Sequence, residues 1–146
     1  MPIDRSIAEQ NRAETARLRA LVERLSEADL ARSLGEGWTV ATTLLHLAFW
    51  DRRAAILLDK WEKAGKPTPS LMDTDTINDA LLFQGRLVPP RAAAAEWEAA
   101  AAAIDARLDS ISDHLIAAIR DGNVPFMFDR ANHRREHREE IEAAVS

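Results

Sequence analysis

The stretch Thr39–Gly65, TVATTLLHLAFWDRRAAILLDKWEKAG, carries its own start and stop. Thr39 is a helix-capping residue type, because its hydroxyl can accept a backbone N–H from the first turn. Val40, Leu44, Leu47, Ala48, Ala54, Ala55 and Leu58 follow at the spacing that lines one face of an α-helix. Gly65 suits the left-handed position just past the last turn, and Pro67 and Pro69 prevent continuation. The spacing predicts a long helix from Thr39 to about Ala64.

The rest of the chain punctuates in the same way. A first helix is expected from about Pro2 to Leu25, on Ile3, Ile7, Leu18, Leu21, Val22 and Leu25, with Asn11 and Glu14 interrupting the stripe. Ser26 to Gly37 reads as a connection with one short helical turn. Lys66 to Asp75 reads as an extended loop, and Thr76 to Leu87 as a short helix stopped by Pro89-Pro90. Pro90 can open a third long helix, because its missing N–H costs nothing in a first turn. Trp97, Ile104, Leu108, Ile111 and Leu115 form its stripe, a break falls near Ser110–Ser112, and Ser112 caps a short helix through Arg120, ended by Gly122. A fourth long helix is expected from Pro125 to Val145.

Alanine occurs 27 times and leucine 16 times, against 11 glycines and prolines together, and no segment alternates with period two. The fold class expected is therefore all-α. Four long helices with short loops bury their stripes most simply as a four-helix bundle. The stretch from Gly65 to Pro89 is long enough to serve as a crossover between the second and third long helices. At 146 residues, the chain is expected to be one domain, residues 1–146, able to build a core unaided.

Composition removes whole function classes. Nineteen basic against 24 acidic residues give a net charge of −5, which opposes a nucleic-acid partner. The chain has no cysteine, which excludes disulfide scaffolds, thiolate zinc sites and cysteine nucleophiles, and no tyrosine. The first residues, MPIDRSIAEQNRAE, are charged from Asp4 onward, and the apolar run Val40–Trp50 is too short to span a bilayer. No membrane association is expected, and the expected location is cytoplasmic.

Chemistry concentrates in Asp129–Val145, DRANHRREHREEIEAAV. His133 and His137 are four apart, so a helix sets them on one face with Cβ atoms about 5–6 Å apart. Most other positions are charged, and the inward face of this helix is expected to contain both histidines. Two solvated rings in a charged helix are one reading. Two buried rings sharing a metal are the other, since an unpaired buried polar group costs roughly 1–3 kcal/mol. His46 lies in the most apolar stretch and is open to the same two readings: a hydrogen-bonded core residue, or a third imidazole brought onto the pair. Three imidazoles and an open position suit a catalytic zinc-type ion, and nickel, manganese or iron also accept nitrogen donors. Trp50, four residues after His46, is a candidate substrate-pocket wall or an ordinary core residue. Asp129 and Asp51 are candidate catalytic residues, orienting a ligating ring or acting as a base, or else solvated or paired with arginine. His114 reads as structural or surface. The Arg/Glu alternation from Arg134 to Glu140 reads as pairing along the helix surface.

The segment GWTVATTLLHLAFWDRRAA, residues 37–55, resembles the signature helix of the DinB-like superfamily. The terminal NHRREHREEIEAAV is similar to that superfamily's last helix. The resemblance implies a four-helix bundle with a long crossover. It further implies a divalent metal held by His46, His133 and His137 in a pocket between helices. Relatives include transferases and isomerases that use low-molecular-weight thiols such as mycothiol or bacillithiol, among them a maleylpyruvate isomerase, and proteins described as metal-dependent hydrolases. No thiol-binding motif can be matched in this chain.

Two functions follow as expectations. The first is a metal-dependent enzyme, a thiol S-transferase, isomerase or hydrolase, acting on a small electrophilic molecule. The alternative is a non-catalytic helical module, with a structural metal or none, acting by dimerisation or partner binding. A homodimer is the default oligomeric state in either case.

Overall fold

A computed structural model of the protein describes residues 3–122 and 129–146. The chain is mostly helical: α1 (Ser6–Glu23), α2 (Glu27–Leu30), α3 (Val40–Ala64), α4 (Thr74–Gly85), α5 (Pro90–Ser110), α6 (Asp113–Asp121) and α7 (Ala131–Val145). Each boundary has a local cause. The Ser26 hydroxyl accepts the Asp29 N–H while the Asp29 carboxylate accepts the Ser26 N–H, both at 3.1 Å, which starts α2. Thr39 starts α3 by accepting the Thr42 N–H at 3.1 Å, and the Thr42 hydroxyl accepts the Thr39 N–H at 2.8 Å. Gly65, at φ 77°, ends it. Asp73 caps α4, which starts at Thr74, two residues earlier than expected, and Ser112 caps α6 as expected.

The all-α fold carries one short hairpin that no period-two stretch announced. Ser33–Gly35 (β1) and Trp38–Thr39 (β2) pair antiparallel, Ser33 opposite Thr39 and Gly35 opposite Trp38. Three successive positive φ values, Gly35 at 99°, Glu36 at 54° and Gly37 at 86°, reverse the chain between them. Strands of three and two residues are too short to display a period of two.

α3 packs on α5, α5 on α1, α1 on α7 and α7 on α3, while α4 leans on α3. Two apolar groups fill the interior. One gathers Leu18, Leu21, Val22, Val40, Leu44, Leu47, Trp97 and Ile141. The other gathers Ala54, Leu58, Trp61, Ile104, Leu108, Leu115 and Ile119. At their junction lie buried polar residues: Asn11, Glu14 and Thr15 on α1, Asp51 on α3, and Asp105 on α5. Residues that break the first helix's apolar stripe thus form the polar layer of the core.

That layer holds α7. The predicted start of this helix at Pro125 lies outside the described residues, and α7 begins at Ala131. The Asn11 side-chain oxygen accepts the Arg130 and Ala131 N–H groups at 3.0 and 2.9 Å, supplying from α1 the cap that α7 lacks locally. The predicted surface pairing from Arg134 to Glu140 is corrected. Arg134 is fully buried, and it bonds to Asp51 at 3.2 Å and to Asp105 and the Asn11 carbonyl at 3.0 and 2.9 Å. Arg135 and Arg138 reach across to buried Glu14 at 3.3 and 3.1 Å. Burial alone would raise the Glu14 pKa, but Arg138, Arg17 and Arg135 outweigh it and hold the carboxyl below its usual value. The helix thus turns arginines, as well as histidines, toward its neighbours. Among the described residues, no helix is long and apolar enough to cross a membrane.

Candidate metal centre

His46 projects from the second turn of α3, and His133 and His137 from successive turns of α7. The two helices pack against each other, so the three rings meet. Each pair of ring centroids is 4.9 Å apart, with the planes steeply inclined. His46 Nε2 lies 2.9 Å from His133 Nε2, and one ligand atom from each ring falls within 4.8 Å of the others. All three residues are partly buried.

The tautomer of His46 follows from its neighbours. The Trp50 indole N–H can only donate, and it meets the Asn78 side-chain oxygen at 2.9 Å. The same oxygen lies 3.2 Å from His46 Nδ1, which must therefore carry a proton to bond to it. This leaves Nε2 as a lone pair directed at the cluster. Burial, the neighbouring His137 and the Arg130 charge press the His46 pKa down to about 4, against opposing contributions from Asn78 and Asp51. Burial, the other two rings and the Arg130 and Arg134 charges press that of His133 down to about 3. Both rings are consequently neutral near pH 7, the form that binds metal.

The donor set fits one divalent ion. Imidazole nitrogen binds zinc at about 2.0–2.1 Å, so nitrogens separated as His46 and His133 are can share an ion. His137 Nδ1 is buried without a hydrogen bond, although Glu140 Oε1 approaches to 3.1 Å in poor alignment. Among the described residues, no Cys, Asp or Glu joins the three-histidine group. Residues 1–2 and 123–128 contain no histidine or acidic residue that could add one.

The cluster lies between two clefts. On the His133 side, a cleft of about 460 Å³ is bounded by Trp50, Arg53, Asn78 and Arg130. On the His137 side, one of about 280 Å³ is bounded by Trp38, Glu36 and Glu140 from the hairpin and α7. His46 borders both.

The structure therefore gathers His46, His133 and His137, with Trp50 beside them, while the two candidate aspartates are bonded to other side chains. Asp51 is only 1% exposed, and its oxygens go to Arg130 at 2.9 Å and Arg134 at 3.2 Å. Asp129 accepts the Asn132 backbone and side-chain N–H groups at 3.3 and 2.7 Å. His114 is exposed, and its Nε2 lies 2.9 Å from the Gly65 carbonyl oxygen. Asn78, Arg53 and Arg130 border the site without having been singled out in the sequence. Their relation to His46 depends on how α4 and the start of α7 pack, which no local spacing encodes.

A family match over most of the chain makes this helical protein a member of the DinB-like superfamily. The chain belongs to the family described as mycothiol maleylpyruvate isomerase N-terminal domain, whose model matches residues 11–126. That match includes His46 and ends before α7, so the meeting of His133 and His137 with His46 is a finding of the structure. No curated protein and no solved structure matches the chain.

Proposed function

We propose that the protein is a metal-dependent enzyme in which His46, His133 and His137 hold one divalent ion, and that it joins a thiol or water nucleophile to a small electrophilic molecule. The observation that carries this reading is the convergence of three imidazoles, with no acidic fourth ligand among the described residues, at the border of two clefts. A structural metal would call for a closed set of four protein ligands. A bound ion would acidify the nucleophile and polarise the electrophile's oxygen. The chain's own residues supply the rest. Asn78 fixes the His46 tautomer, burial keeps the His46 and His133 rings unprotonated, and Trp38 and Trp50 wall the two clefts. The family's description names mycothiol and an isomerase, which favours a low-molecular-weight thiol as the nucleophile. In this reading α1, α3, α5 and α7 form a four-helix bundle of a single domain, with α4 in the crossover.

Metal analysis of native protein tests the proposal, together with a thiol-conjugation screen against reactive electrophiles. The expected result is about one divalent ion per chain, lost in His46→Ala and His133→Ala, and a conjugation activity lost on chelation. Native protein without metal, and a His133→Ala variant equal to wild type in stability and metal binding, would overturn it.

A further inference from the structure

α4 is seated on one face and bare on the other. Toward α3 it turns Asn78, which meets His46 and Trp50, and Gly85, where a Cβ would lie 3.4 Å from Thr42 Cγ2 and 3.5 Å from Leu45 Cδ1. Away from α3, Thr76, Ala80, Phe83 and Leu87 are exposed, Phe83 by 72% and Leu87 by 85%. Leu87 stands in the turn that prolongs the helix, its N–H bonded to the Gln84 carbonyl at 3.0 Å. The four residues follow one another at intervals of four, three and four, the spacing of a seam that receives a second helix. Asp79 and Arg86, both exposed and of opposite charge, flank this seam on one edge. Among the described residues neither forms an ion pair, and Arg86 lies over the Phe83 ring, its Cζ 5.5 Å from the ring centre.

We infer that α4 pairs with α4 of a second copy of this chain, antiparallel about a twofold axis. In that arrangement Phe83 packs on the partner's Ala80 and Leu87 on the partner's Thr76, and the symmetry makes each contact twice. A large side chain meets a small one in every layer. The same register sets Asp79 against the partner's Arg86 and Arg86 against the partner's Asp79, on the edge where antiparallel helices exchange charges. The seam and the two charges are thus complementary to themselves, which selects a second copy over an unrelated partner. The inference goes beyond the proposed function and does not rest on the metal. It bears on the site through Asn78, because a partner helix braces α4 from its open side.

Sedimentation velocity of the full chain, from micromolar to millimolar concentration, tests it. Wild type is expected to pass from monomer to dimer as concentration rises. Phe83→Glu is expected to raise the dimer Kd about 30-fold or more, as loss of an aromatic anchor does. Asp79→Arg turns both reciprocal ion pairs into repulsions and is expected to raise Kd about tenfold or more. Adding Arg86→Asp to Asp79→Arg is expected to recover most of that loss, since the charges then match again with their places exchanged. Wild type that stays monomeric even at millimolar concentration would overturn the inference, whether the face is then idle or serves a different protein. So would a dimer that Phe83→Glu and Asp79→Arg both leave intact, or a folded double variant that dimerises no better than Asp79→Arg alone. The substituted side chains are all exposed, and the two charge variants decide the matter if Phe83→Glu fails to fold.

Discussion

At the scale of single residues, the side chain that shapes the histidine cluster most without belonging to it is Asn78. Its oxygen receives Trp50 and fixes His46 with Nε2 unprotonated. Asn78→Leu removes that acceptor and should lower zinc affinity about 10–100-fold, whereas Asn78→Asp, which keeps an oxygen there, should not. Competition against a chelating dye measures both. The depressed pKa values of His46 and His133 set a pH dependence for the metal-free protein. Both rings are harder to protonate when folded than when unfolded, where the value is near 6.5. The unfolded chain therefore binds more protons below that pH. Their contribution to stability is complete above about pH 6.5 and is lost as pH falls toward 4 and then 3, by about 1.4 kcal/mol per unit for each ring. Urea denaturation of metal-free protein across this range should show the loss, and His46→Gln should flatten it. The histidines were legible because His133 and His137 share one face of a helix otherwise filled with charge, and because His46 interrupts an apolar run. Asn78 was not, since its bond to His46 spans 32 positions and exists only once α4 rests on α3.

At the scale of the element, α7 shows where periodicity misleads. An arginine between two histidines reads as solvent-facing, yet Arg134 is the most deeply buried cation of the helix. Its partners, Asp51 and Asp105, stand on two other helices, and no spacing within α7 announces them. Arg134→Met leaves two carboxylates short of a partner in the interior and should cost roughly 3–5 kcal/mol. The exposed pair of Arg12 with Asp109 gives the contrast, and Arg12→Ala should cost at most about 1 kcal/mol. Chemical denaturation of the two variants side by side checks the ordering. A similar cost for both would mean that the buried layer relaxes around the loss. The capped boundaries, by comparison, were legible because Thr39, Gly65 and Ser112 act on their own helix ends.

At the scale of the whole molecule, apolar stripes sufficed to predict a helical fold, but not that its interior is two apolar groups divided by charge. Stripes record which positions are greasy, and the divide is made by the positions they skip. Because the histidines come from two helices, an ion held by them ties α3 to α7. If it binds only the folded state, zinc at 100 times its dissociation constant should add about 2.7 kcal/mol. Calorimetry should then show a melting temperature higher by roughly 4–8 °C, and no rise in His133→Ala. The Asn11 and Arg134 bonds give this coupling a further consequence. They moor the histidine-bearing helix to three neighbours without using an imidazole, so the three rings are held together with no ion needed. On the proposed reading, loading and release of an ion would then be local traffic through the clefts, paced by access to the rings and not by disassembly of the protein.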